Sequence, residues 1–164
     1  NEFNAKVETE LRRALQDASP EFFEKAVIEL LWAMGYGGTH GDKQHVGRTG
    51  DGGIDGVINQ DALGLQRVLI QAKRYSDGNN VGSSAIRDFY GALHEKGAER
   101  GVFITSSKFT GDARHTDEKY NGQIVLIDGI RLTSLMLDYG VAVQKIKEFP
   151  LFAVDEDFFE SALS

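Results

Sequence analysis

The sequence predicts an α/β fold, a central mixed β-sheet flanked by helices. Two successive stretches at the start carry apolar residues at helical spacing. The second half alternates short apolar runs with helical stretches. One apolar run, Val68 to Lys73, places its polar groups at every second position, as a strand with two distinct faces does. At 164 residues the chain suits one domain with a sizeable core.

Val7, Leu11, Ala14, Leu15 and Ala18 predict a helix from Phe3 to about Ala18. Ser19-Pro20 opens a second, with Ser19 as N-cap and Pro20 at the first helical position. Phe22, Phe23, Ala26, Val27, Leu30, Leu31 and Met34 form its apolar face, and Gly35 ends it. A glycine-rich stretch runs from Gly35 to Gly56. Strands are expected at Ile54 to Ile58, Val68 to Lys73, Gly101 to Thr105 and Ile124 to Ile127, with a turn from Asn59 to Gly64. In the second strand Val68, Ile70 and Ala72 point one way and Leu69, Gln71 and Lys73 the other. Ser83 or Ser84 is expected to cap a helix through Ile86, Phe89, Tyr90 and Leu93. A short helix follows Thr110, and Asp128 precedes a helix through Leu132, Leu135 and Met136. Val141 to Ser164 reads as a short hairpin and a terminal acidic helix.

The hydrophobic share of 41% and charged share of 26% are those of a globular protein. The longest apolar run, Val27 to Met34, is broken by Glu29 and is too short to span a bilayer. No signal peptide opens these residues, and cysteine is absent, so thiolate metal sites and disulfides are excluded. A cytoplasmic setting is expected. The net charge of −7 argues against a simple basic nucleic-acid coat. The excess acid lies at the ends, with Glu148, Asp155, Glu156, Asp157 and Glu160 following the last cation, Lys147. From Gly41 to Tyr120 acids and bases balance, which leaves room for a local positive cleft.

The chemistry-bearing groups lie on apolar strands. Asp55 sits in Gly52-Gly53-Ile54-Asp55-Gly56-Val57-Ile58. Gln71 and Lys73 lie in Ile70-Gln71-Ala72-Lys73-Arg74-Tyr75 and share a face. The turn between the two strands allows a hairpin that sets Asp55 beside Gln71. A carboxylate and an amide oxygen, with the Ala72 backbone carbonyl as a third ligand, suit a hard divalent cation such as Mg²⁺. Lys73 would then face the nucleophile or a phosphate. Bland readings stand beside these: Asp55 as a turn former, and Lys73 as a strand-end lysine reaching for water.

The two motifs, Gly50-Asp51-Gly52-Gly53-Ile54-Asp55-Gly56 and Ile70-Gln71-Ala72-Lys73-Arg74-Tyr75, resemble the catalytic domain of the Mrr family of restriction endonucleases. That family is a branch of the PD-(D/E)XK superfamily in which Gln replaces the second acid. The resemblance covers about Ser19 to Tyr139. Phe23-Glu24 before Met34-Gly35-Tyr36-Gly37 fits it, as do Phe89-Tyr90-Gly91-Ala92-Leu93-His94, Gly101-Val102-Phe103-Ile104-Thr105 and Ile124-Val125-Leu126-Ile127-Asp128-Gly129. It implies a restriction-endonuclease-like core and a Mg²⁺- or Mn²⁺-dependent double-strand cut in methylated DNA, the work of a type IV restriction enzyme. It assigns Asp55 as the metal-binding acid, Gln71 to the position of the usual Glu, Lys73 as the motif lysine and Glu24 as the helix acid. The helical wheel alone leaves Glu24 and Glu29 equivalent, at opposite edges of the apolar face.

Family members usually carry an N-terminal winged-helix domain that recognises DNA. Residues 1–18 are therefore expected to be a linker helix from such a domain, residues 19–140 the nuclease domain, and residues 141–164 a hairpin and acidic tail packed on it. Arg48, Arg74, Lys108 and Arg114 are candidate phosphate contacts, each also readable as an ordinary surface cation. A double-strand cut needs two active sites, so at least a homodimer on DNA is expected. The candidate surfaces are Val7, Leu11 and Leu15 and the helix from Ile86 to Leu93, each also readable as core.

Competing motifs are weaker. The glycines from Gly50 to Gly56 lack the spacing of a nucleotide-binding loop. His40, His45, His94 and His115 lack zinc-site spacing. Asp51 reads as a turn former ahead of a second metal ligand, and Tyr75 and Trp32 as packing residues ahead of base-stacking ones. A structure-selective nuclease such as a junction resolvase, or a non-cleaving DNA-binding module, is the alternative function.

Overall fold

The computed structural model describes residues 2–36, 46–48, 53–144 and 152–163. The elements run α1 (Glu2–Asp17), α2 (Pro20–Ala33), β1 (Val46–Arg48), β2 (Gly53–Asn59), β3 (Arg67–Lys73), α3 (Ser83–Glu95), β4 (Arg100–Thr105), α4 (Gly111–Glu118), β5 (Ile124–Ile127), α5 (Gly129–Tyr139) and α6 (Glu156–Leu163). The strands form one sheet in the order β1-β2-β3-β4-β5. The β1–β2 and β2–β3 pairs are antiparallel; β3–β4 and β4–β5 are parallel. The expected mixed sheet is thus a hairpin meander that turns into a parallel half, with α3 and α4 as the crossovers.

Side-chain alternation divides the core into two layers. Ile70, Ala72, Val102 and Ile104 pack with Leu11 and Leu15 of α1, Phe23, Val27 and Leu30 of α2, and Leu132 and Met136 of α5. Leu69, Phe103 and Ile124 pack on the other side with Ile86, Phe89 and Leu93 of α3 and Ala113 of α4. Period-two alternation therefore divides β3 as the sequence predicts, and Gln71 and Lys73 fall on the α3/α4 side.

Local capping explains the helix starts. The Ser19 hydroxyl accepts from Phe22 N at 3.2 Å, with Pro20 behind it. Thr110 caps α4 by accepting from Ala113 N at 3.1 Å, and Asp128 caps α5 by accepting from Arg131 N at 2.8 Å. The α3 cap differs from expectation. It is Gly82, in extended backbone with no side-chain cap bond, and Ser83 is already helical.

Three further observations concern the ends of the chain and the apolar helix faces. Leu11 and Leu15 are buried in the first core layer, so the second half of α1 packs against the folded body. Leu11 and Leu15, with Ile86, Phe89 and Leu93 of α3, are interior residues, so they supply no dimer surface. The acidic terminal helix is present as α6, but the described residues from Phe152 to Ser161 are all exposed and do not pack on the core. The expected hairpin before α6 lies largely outside the described residues. Among the described residues, no helix is long and apolar enough to cross a membrane.

Candidate active site

Asp55 stands directly opposite Gln71 in the β2–β3 register, and Gly53 opposite Lys73. Opposed residues on one face bring their Cβ atoms to about 4.5–5.5 Å, and diagonal neighbours to roughly 7–8 Å. Asp55, Gln71 and Lys73 therefore border one small patch on the α3/α4 side. Asp55 is exposed, whereas Gln71 and Lys73 are half-buried.

The three groups are engaged differently. Lys96, just past the end of α3, donates from Nζ to Asp55 Oδ1 at 3.1 Å. Among the described residues, Gln71 and Lys73 make no side-chain hydrogen bond or ion pair. Among the described residues, the ammonium groups of Lys73 and Lys96 stand with the Asp55 carboxylate on this patch.

Ala72 is register-paired with Ile54 on one side and Ile104 on the other, and its side chain is in the first core layer. Glu24 comes from that same layer, because α2 packs on the face opposite Gln71 and Lys73. Burial separates the two helix acids that the wheel leaves equivalent: Glu24 is 2% exposed, while Glu29 is exposed.

Two of the four candidate phosphate contacts are already committed. Arg74 Nη1 donates to the Gln16 carbonyl at 3.0 Å, capping the last turn of α1 with a cation. Arg114 Nη2 donates to Asp128 Oδ2 at 3.0 Å, and its guanidinium lies 5.7 Å from the Phe109 ring centroid. Lys108 is exposed on the turn after β4, and Arg48 is on β1 with its side chain outside the described set. His40, His45 and Asp51 also lie outside the described residues.

Sequence reasoning misses Lys96 and the turn Thr105-Ser106-Ser107. Thr105 is opposite Lys73 in the parallel register, and its hydroxyl lies 3.2 Å from that of Ser107. Ser106 Oγ donates to the Tyr75 carbonyl at 2.7 Å and accepts from Tyr75 N at 2.8 Å, clamping the end of β3 to the end of β4. Gln16 Nε2 donates to the Ser106 carbonyl at 2.9 Å, tying α1 to this same corner. A run of three hydroxyl residues ending a buried strand was the available signal. For Lys96 there was none, since a lysine before a glycine at a helix end reads as a routine C-terminal cation.

The donor chemistry fits a hard divalent cation: a carboxylate and a neutral amide oxygen, with a lysine two residues on. Among the described residues no cluster of three His, Asp or Glu side chains converges, so a histidine-rich centre finds no match there.

A mixed sheet between helical layers, with an acid on one hairpin strand opposite an amide and a lysine on the next, defines a restriction-endonuclease-like nuclease fold. Among solved structures, the DNA modification-dependent restriction endonuclease AspBHI matches with a TM-score of 0.58 at 18% identity, over 84% of this chain and 36% of that one. At that identity the likeness speaks for the fold alone. The family model of the Mrr catalytic domain, described as a restriction endonuclease, matches residues 15–136. The type IV methyl-directed restriction enzyme EcoKMrr of Escherichia coli (strain K12) is 46% identical over 155 residues, covering 94% of this chain and 49% of that protein. The chain belongs to the Mrr family of restriction endonucleases, and spans about half the length of this relative. Nucleases of this kind generally depend on a divalent metal.

Proposed function

We propose that this domain hydrolyses phosphodiester bonds of double-stranded DNA with Mg²⁺ or Mn²⁺, as the cutting part of a methylation-dependent restriction enzyme. The observation that carries the reading is the register pair Asp55–Gln71 with Lys73 two residues on, on the same face and uncommitted among the described residues. The family membership supports it, and so does the 46% identical relative, a methyl-directed restriction enzyme.

Asp55 and Gln71, with the Ala72 carbonyl, would hold the cation. When bound, it supplies Lewis-acid stabilisation of phosphate charge. Lys73 holds an ammonium on the same patch, where it orients the attacking water and offsets charge on the phosphate as the P–O bond breaks. Glu24, buried in the opposite layer, is proposed as the helix acid that supports this constellation; its burial distinguishes it from Glu29. Lys108 and Arg48 are proposed phosphate contacts. Arg74 and Arg114 would join them only by giving up the Gln16 carbonyl and Asp128. A double-strand cut would require two copies on the DNA.

The test is cleavage of matched methylated and unmethylated plasmid by the full-length protein, with and without Mg²⁺, beside an Asp55→Asn variant. Metal-dependent cutting that the variant loses supports the reading. Cutting by Asp55→Asn at the normal rate overturns it. Preference for branched over linear DNA would indicate a structure-selective nuclease instead.

A further inference from the structure

Lys96 lies outside the constellation described above, yet among the described residues its ammonium bonds the candidate metal-binding acid. Its Nζ is 3.1 Å from Asp55 Oδ1, and the two residues are separated by 41 positions in sequence. The contact is made across layers, from the end of α3 to β2, so the fold creates it rather than local sequence.

The charges around Asp55 give this contact a consequence. Gln71, directly opposite, is neutral, so Asp55 is the one carboxylate of the register pair. Lys96 balances it, and Lys73 adds a further positive charge on the same face. A divalent cation approaching this patch meets a carboxylate whose oxygen is already engaged by an ammonium. The side chains of Lys96 and Asp55 remain 39% and 47% exposed, so water screens the pair and it is cheap to break. A weak, exposed pair at a binding acid can be displaced by a doubly charged ion, but it lowers that ion's apparent affinity.

We infer that Lys96 is a competing counter-ion for Asp55, which holds the carboxylate in the metal-free domain and must be displaced when the divalent cation binds. The inference rests on the reading of Asp55 as a metal ligand. It makes resting metal affinity lower than the donor set alone would give, so occupancy depends on the phosphate that DNA brings.

The experiment measures Mn²⁺ binding to the 164-residue chain without DNA. Free Mn²⁺ is followed by electron paramagnetic resonance for the wild type, Lys96→Gln, Lys96→Arg, Asp55→Asn and the double variant Asp55→Asn/Lys96→Gln. Thermal melts establish that each is folded. Lys96→Gln should bind Mn²⁺ more tightly, by up to about fivefold, the ratio that an exposed ion pair can supply. Lys96→Arg keeps the charge and should bind like the wild type. The gain should vanish in the Asp55→Asn background. If Asp55→Asn weakens binding while Lys96→Gln leaves it unchanged, the competition is wrong and Asp55 remains a ligand. If Asp55→Asn binds Mn²⁺ like the wild type, the metal assignment falls, and the role of Lys96 with it.

Discussion

Asp55 and Gln71 oppose each other across the β2–β3 ladder, so the acid on one strand and the amide on the next share a face by register rather than by chance of side-chain conformation. Lys73 shares that face two residues on and is free of hydrogen bonds and ion pairs among the described residues. A half-buried ammonium without such a partner can be removed at little cost to the fold. Lys73→Ala should therefore melt within a few degrees of the wild type and lose about 10²–10³ in cleavage rate. Normal cutting by the variant would reduce Lys73 to a strand end reaching for water.

Arg74, one residue later, is predicted to behave in the opposite way. Its Nη1 donates to the Gln16 carbonyl, where α1 ends beside the Ser106 corner. Arg74→Ala should cost about 1.5–3 kcal/mol of stability, the range for a hydrogen bond from a charged group. The slope of DNA affinity against salt should hardly change, because a committed guanidinium contributes no phosphate contact. Unchanged stability with a shallower salt slope would return Arg74 to the DNA-binding set.

Gly129 follows the α5 cap Asp128, and its N donates to the Ser107 carbonyl at 2.8 Å. A Cβ there would collide with the backbone carbonyl of Ser106, which cannot move without disturbing the clamp on Tyr75. Gly129→Ala should therefore destabilise by roughly 1–3 kcal/mol, as overpacking does. Denaturant unfolding checks this, with Gly91→Ala as the control, since a Cβ at Gly91 meets nothing within 4 Å.

Asp117 gives a pH dependence. Burial raises its carboxyl above the ordinary value of 3.8, Arg114 opposes the rise, and Glu118 adds to it. Among the described residues its Oδ1 is buried without a hydrogen-bond partner. Because the folded state holds this proton more tightly than the unfolded chain, stability falls as pH rises from 3.8 through the raised value. At neutral pH the full penalty is present. Asp117→Asn should raise Tm at neutral pH, and the gain should fade as pH drops below 3.8. A gain that is the same at every pH would tie it to something other than ionisation.

These sites differ in how far the sequence reveals them. Gln71 and Lys73 can be placed on one face because alternation along β3 is a local pattern, and Ser19 and Asp128 can be named at helix starts because capping acts over three residues. Lys96 and the Gln16–Arg74 contact are not legible, since each joins residues far apart in sequence that only packed layers bring together. The same limit applies to Glu24 and Glu29: helical spacing makes them alike, and only the packing of α2 in the fold buries one and exposes the other. Ser83 suits a cap by residue type, but the backbone turns helical one residue earlier than that reading requires.

The 164-residue domain is expected to bind DNA poorly and without regard to methylation. Its net charge is −7. Several of its central cations are engaged internally: Arg74 with Gln16, Arg114 with Asp128, and Lys96 with Asp55. Phosphate neutralisation supplies most non-specific affinity, and these three central cations are withheld from it. Reading a modified base requires side chains presented to a groove by a helix or ribbon. Here the apolar faces of α2, α3 and α5 are buried against the sheet, and α6 presents acids. Cleavage by this domain should thus be slow, sensitive to salt and equal on methylated and unmethylated duplexes. The measurement is cleavage and binding on matched duplexes across a salt series. A clear preference for the methylated duplex at moderate salt would place the methylation reader within these residues.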